Sequence, residues 1–239
     1  MASNNTFPGF PAAGIDFLRD LKENNDREWF APRKAIFDEQ VKAPMLDLIR
    51  AVHTAMMDFA PAYVGDPAKC IFRIYRDTRF SNDKTPYKTH IAAWMKQAGA
   101  EKGLGSAGFY FSVSPEIVEI AAGIYAPDAP TLLKLRQRIA EDHEAFRKTF
   151  DFPKFKKVAG GLMTASLTRA PKGFDPAHPA IDLLRLKHLV AYEEIDAAIA
   201  TTPKLLPEIV KRFEIMVPFV EYLNAVLLPP KTASRPPMR

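Results

Sequence analysis

Apolar positions recur with two different periods along this chain, and the change of period separates helical ends from a strand-rich middle. Ile15, Phe17, Leu18 and Leu21 keep helical spacing, and Asn24-Asn25 stops that first helix. Asn25 followed by Glu28 has capping-box spacing, so a long helix is expected to start there. Its inner stripe is Trp29, Phe30, Ile36, Phe37, Val41, Met45, Leu48, Ile49 and Val52, and the pattern ends near Phe59-Ala60-Pro61. Pro32 is tolerable in a first turn, whereas Pro44 should kink the helix or split it.

The period then drops to two. Residues 71–80 alternate, with Phe72 and Ile74 on one side and Arg73, Tyr75, Asp77 and Arg79 on the other. Strand-like runs follow at 89–97, 108–114 and 117–125, joined by the glycine-rich GAEKGLGSA and by the tight Ser114-Pro115-Glu116 turn. Connections this short imply an antiparallel meander, because a parallel pair needs a crossover of roughly a dozen residues. Helical spacing returns from Ala129 to about Phe150, in a short helix at 153–161 stopped by Gly160-Gly161, and from Pro203 to Leu228. Between them AIDLLRLK reads as a helical turn or two, and HLVAYEEI as a further strand.

The expected fold is one α+β domain over residues 7–228. It has a central antiparallel meander of about four strands at 71–125, packed by N- and C-terminal helices. The Pro-rich residues 229–239 read as a disordered tail. A hydrophobic share of 47% with 17 Phe is ample for a core. One cysteine, Cys70, excludes an internal disulfide and a CxxC zinc site, and reads as a small buried residue at a strand start. No apolar run is long enough for a membrane span, and the N-terminus shows no signal-peptide pattern, so a cytoplasmic protein is expected.

Charge changes the picture in one place. The net charge is only +5, but residues 69–90 hold six Lys/Arg against two Asp, an excess of four. In a strand, Arg73, Tyr75, Asp77 and Arg79 would line one face at ~6.6–6.8 Å intervals. Charge of that density cannot be buried unpaired. It must meet solvent, internal acids or an anionic ligand, and arginine forks suit phosphate or carboxylate. The expected ligand-binding set is Arg73, Tyr75, Arg76, Arg79, Lys84, Tyr87 and Lys88. Asp77, Asp83 and His90 are the titrating groups available for catalysis of the phosphoryl- or acyl-transfer kind. Arg76 should point with Phe72 and Ile74, at a bulge or edge or against an acid.

Three readings stand open: an anionic small molecule, a nucleic acid stacked on Tyr75, Phe80, Tyr87, Trp94 and Tyr110, or a structural ion-pair network. In the last case partner binding would lie elsewhere, for instance at the helix entry Asn24–Phe30. The five histidines form no metal-ligand spacing, Asp175 and His178 read as turn caps more readily than as metal ligands with Asp182, and no nucleotide or hydrolase motif appears. No metal and no cofactor are therefore expected, and the oligomeric state is not legible.

RIYRDTRFSNDKTPYKTH closely resembles the signature of a bacterial and fungal family known as domain of unknown function 2461. FLRDLKENNDREWFAPRKAIFDEQV resembles its opening helices, GFYFSVSPEIVEIAAGIYAPDAPTLLKLRQRI its Tyr-rich hairpin and next helix, and LTRAPKGFDPAHPAIDLLRLKHL its later block. This chain has Ile74 and Phe109-Tyr110-Phe111 where relatives vary among aromatics. The resemblance implies a single-domain α+β protein and brings no activity, substrate, cofactor or catalytic residue.

Overall fold

Helical backbone forms wherever the first 56 residues keep their apolar spacing. The computed structural model describes residues 5–79, 81–97 and 105–228. Helix α1 (Ala12–Glu23) buries Ile15, Phe17, Leu18 and Leu21. The next helix is capped by Asp26 instead of Asn25: the Asp26 carboxylate accepts the Trp29 N–H at 2.7 Å. From α2 (Arg27–Phe30) the chain runs through a 3-10 turn holding Pro32, α3 (Lys34–Phe37), a π turn (Asp38–Lys42) and α4 (Ala43–Met56).

Pro44 does not split this stretch. It lies in the first turn of α4, and the π turn before it absorbs the irregularity, with the Ala43 N–H bonding the Asp38 carbonyl. Proline has no N–H to offer the carbonyl of Gln40, four residues back. Gly14 of α1 packs against that carbonyl so closely that a Cβ there would sit 2.1 Å from the Gln40 oxygen.

A short helix, α5 (Pro67–Cys70), leads to the sheet. Strands β1 (Ile91–Lys96), β2 (Gly108–Val113), β3 (Ile117–Ile124) and β4 (Leu189–Asp196) pair antiparallel in the order β1-β2-β3-β4. The α+β meander is as expected, but its membership differs. Residues 71–79 contribute only the isolated bridges Ile71–Ala93 and Tyr75–Tyr87, and the fourth strand comes from the HLVAYEEI run. The intervening helices are α6 (Ala129–Glu141), α7 (His143–Lys148), α8 (Pro153–Ala159) and α9 (Ile181–Leu184), and α10 (Leu205–Leu227) closes the described chain. Asp142 breaks the expected 129–150 helix by capping α7, accepting the Ala145 N–H at 3.0 Å. Phe80, much of the glycine-rich connection and the tail at 229–239 lie outside the described residues.

Only one face of the sheet is apolar. Met95, Phe109 and Ala122 share a row there, as do Ala93, Phe111 and Ile120, all buried. Helix α10 covers them with Phe213, Met216, Phe219 and Val220, and the Phe109 and Phe213 rings lie 4.9 Å apart. One ion cluster interrupts this apolar layer: buried Arg212 of α10 pairs with Glu208 and with Glu193 of β4. Among the described residues, no helix is long and apolar enough to cross a membrane.

Gly14→Ala should push α1 off the Gln40 backbone, destabilising the fold by roughly 3 kcal/mol and lowering Tm by about 6–12 °C. Gly65→Ala, where nothing lies within 4 Å, should leave Tm nearly unchanged; thermal unfolding of both variants decides it.

Candidate functional site

The signature segment is an irregular hairpin and not a strand, because its own side chains compete for the backbone. The Asp77 carboxylate accepts the Arg79 N–H at 3.3 Å, and the Asp83 carboxylate accepts the Thr85 N–H at 2.9 Å. These are Asx-type turns two residues long, and they bend the chain where an alternating strand would have to continue. The arms meet through the Arg76 N–H on the Pro86 carbonyl (2.9 Å) and the Lys88 N–H on the Ile74 carbonyl (2.8 Å). The expected shared face of Arg73, Tyr75, Asp77 and Arg79 therefore does not exist.

The hairpin is fastened at two places. Phe72 donates its N–H to the Ala92 carbonyl of β1 at 2.9 Å, beside buried Ile74. At the other arm the Asn25 amide grips the Tyr87 backbone: its Nδ2 donates to the Tyr87 carbonyl and its Oδ1 accepts the Tyr87 N–H, both at 3.0 Å. Tyr87 is buried and stacks on Phe30 with centroids 4.1 Å apart.

With the backbone placed, the ionic groups sort into three settings. Arg79 holds Asp77 in a bidentate pair, Nε at 3.0 Å and Nη2 at 2.8 Å. Arg76, half-buried, pairs with Asp83 and also donates to the Thr85 hydroxyl. The Lys84 ammonium donates to the Thr78 carbonyl at 2.9 Å. Arg73 makes no hydrogen bond or ion pair among the described residues, though Asp77 feels its charge at longer range. Lys88 likewise has no acid partner there; its half-buried ammonium rests 4.9 Å from the centroid of the Phe72 ring.

Three clefts divide the expected residues. Arg76, Asp77, Asp83, Lys88 and His90 line one of about 560 Å³, together with Lys22 and Asn25. Tyr75, Arg76, Lys84 and Tyr87 line a wider one of about 890 Å³ facing Asp26 and Arg27. Arg73 and Tyr75 border a third, of about 410 Å³, against α3 and α4.

Protonation states follow from these contacts. Hydrogen bonds from Arg79 hold Asp77 at about 2, and the Thr85 N–H followed by Arg76 holds Asp83 at about 2. Both stay ionised at neutral pH and are poorly matched to proton transfer. Burial pushes His90 down, with the Glu119 carboxylate opposing it, so its imidazole is neutral near pH 7 and able to accept a proton. Burial, then repulsion from Arg73, lowers Lys88 as well.

The outer face of the sheet carries polar groups of which the sequence reading singled out only Tyr110. Glu119 of β3 accepts from the Ser112 hydroxyl at 2.6 Å, from Tyr192 at 3.2 Å and from Tyr110 at 3.5 Å, and Tyr192 also reaches Glu194. Burial lifts Tyr110 to about 12 and raises Tyr192 too. The signal was present as every second residue of the β2, β3 and β4 runs. Cys70 ends α5, partly exposed, instead of starting a strand; its Sγ lies 3.8 Å from His53 Nε2, and burial raises the thiol. Among the described residues no group of three His, Cys, Asp or Glu could hold a metal.

The family described as "Conserved hypothetical protein (DUF2461)" matches residues 13–222, which include the whole hairpin and sheet. The chain belongs to this DUF2461 family. No curated protein and no solved structure matches it. The DUF2461 match spans both partners of the clamp, Asn25 and Tyr87, so the clamp lies inside the family's domain.

Asn25→Ala removes both hydrogen bonds on Tyr87 and should cost about 1–3 kcal/mol, with faster hydrogen exchange at the Tyr87 amide as the specific readout. For the Asx turns the sign is that of depressed carboxylates. Their contribution is complete above the ordinary 3.8 and disappears as pH falls through about 2, so the Arg79 and Thr85 amide signals should lose their dispersion across that interval in an NMR titration.

Proposed function

We propose that this DUF2461 protein binds a small phosphate- or carboxylate-bearing molecule in the cleft shared by Arg76, Lys88 and His90. The observation that carries this reading is Lys88: a half-buried ammonium, without an acid partner among the described residues, on the wall of a cleft of about 560 Å³. A cation that has lost part of its hydration and gained no carboxylate is poised for an anion. Thr85, Thr89 and Ser81 line the same cleft and supply neutral donors. Arg76 keeps Asp83 as its partner, so it shapes the cleft and shares its charge with the ligand.

His90, neutral and beside Lys88, is the group suited to proton transfer if the bound anion reacts, whereas Asp77 and Asp83 orient the arginines. A nucleic-acid strand stacked on Trp94 and Tyr110 is less well served, because Glu119 and Glu194 occupy the adjoining row of the same sheet face. A reducing, cytoplasmic setting suits the free Cys70 thiol.

Calorimetric titration with inorganic phosphate, pyrophosphate and sulfate tests the site. Lys88→Gln should weaken binding by roughly 10–100-fold without changing Tm, and equal affinity in a folded variant rejects the proposal. Sulfate keeps its charge over the alkaline range, so its affinity should fall as pH rises through a Lys88 value lying below the ordinary 10.5. Lys88→Arg should move that loss to higher pH.

A further inference from the structure

The third cleft has a different chemistry from the Lys88 cleft. It is a groove of about 410 Å³ between the helical residues 34–46 and the chain at 71–75. Phe37, Leu46, Ile71 and Ile74 give it an apolar lining, and Lys42 and Arg73 line it as well. Lys34 and Asp38 also border it but neutralise each other. Among the described residues neither Lys42 nor Arg73 has an ion-pair partner, so the groove combines an apolar lining with two uncompensated cations. Phe72 and Tyr75, 41% and 49% exposed, widen the apolar surface at one end.

Size selects the occupant. A docked helix or protein surface needs roughly 800 Å² from each partner, whereas small-molecule sites run to about 300–1,000 Å³. A groove of about 410 Å³ is on the second scale. Each methylene laid on such a lining contributes about 0.8 kcal/mol, and an Arg fork with a nearby ammonium fixes a carboxylate. We propose that this groove binds a single-chain amphiphilic carboxylate, with its head at Lys42 and Arg73 and its chain over Phe37, Leu46, Ile71 and Ile74. The groove shares no lining residue with the Lys88 cleft, although Arg73 and Lys88 feel each other's charge.

Dodecanoate, kept below its micellar concentration, is titrated into the full chain, with dodecanol and acetate as probes of chain alone and charge alone. Dodecanoate should bind at least about tenfold more tightly than dodecanol, and acetate, which the Lys88 cleft can take, should leave the Leu46, Ile71 and Ile74 methyl signals unmoved. Dodecanoate should shift the methyl signals of Leu46, Ile71 and Ile74. Lys42→Glu with Arg73→Glu should remove about tenfold or more of the dodecanoate affinity and leave dodecanol unaffected. Leu46→Trp, which fills the groove, should block both; unfolding of that variant leaves the charge-reversal arm to decide. Lys88→Gln should lose sulfate binding yet keep dodecanoate, which separates failure here from failure of the first site. Equal binding of dodecanol and dodecanoate, insensitivity to charge reversal, shifts confined to other methyls, or no binding overturns the proposal. So does preference for an acidic apolar peptide over dodecanoate, which would make the groove a protein-docking surface.

Discussion

Packing of one sheet face on α10 is the interaction the rest of this structure depends on. Phe109 and Phe111 of β2 meet Phe213, and at the far end Gly123 of β3 approaches so closely that a Cβ would lie 2.9 Å from the Phe219 ring. A four-stranded sheet buried on one side must alternate strictly, since a one-residue slip would send every phenylalanine to the other face. Glu193 points inward and violates that alternation. It is tolerated because buried Arg212 pairs with it and with Glu208, and removing Arg212 would leave two partly buried carboxylates without their cation. The alternation also leaves Tyr110, Ser112, Glu119 and Tyr192 free to form a network on the opposite face.

Two asparagines extend this frame beyond regular pairing. Asn224 of α10 holds the Ala107 backbone just before β2, accepting its N–H at 2.8 Å and donating to its carbonyl at 3.0 Å. Asn25 does the same for Tyr87. In both cases a side-chain amide stands in for a missing neighbouring strand, satisfying one donor and one acceptor that would otherwise be stranded. The first fixes where the sheet begins on the helix, and the second fixes where the charged hairpin stands relative to the sheet. The clefts inherit their shape from these two clamps and from the stacking of Tyr87 on Phe30.

What could be read from the sequence follows from which interactions are local. Strands β1, β2 and β3 were legible because alternation and the Ser114–Glu116 turn lie within a few residues of each other, and the family signature located the hairpin. The 71–80 strand was misread because Asp77 and Asp83 form two-residue Asx turns, a competition that alternation does not register. Asp26 displaced Asn25 as cap because Asn25 had a partner 62 positions away, and sequence spacing carries no trace of such a contact. The same is true of Glu119, whose hydroxyl donors come from two neighbouring strands. Pro44 was flagged correctly as a disturbance, but the π turn that absorbs it depends on α1 bringing Gly14 against Gln40.

The hairpin's abundance of arginine is a poor guide to where an anion would sit. Arg79 already has both carboxylate oxygens of Asp77, and Arg76 has Asp83; an incoming anion would have to replace a partner that is covalently tethered nearby. Against that effective concentration an exposed arginine pair offers little net gain. Lys88 is in the opposite position. Its desolvation is already incurred by packing over Phe72, repulsion from Arg73 destabilises its charge further, and no acid among the described residues relieves either effect. A bound phosphate or carboxylate would relieve both at once, so the free-energy gain is larger at one lysine than at two paired arginines. Lys42 and Arg73 at the apolar groove share with Lys88 only the lack of an ion-pair partner among the described residues, since both are exposed. In this fold an anion would gain most at a charge that the hairpin leaves uncompensated.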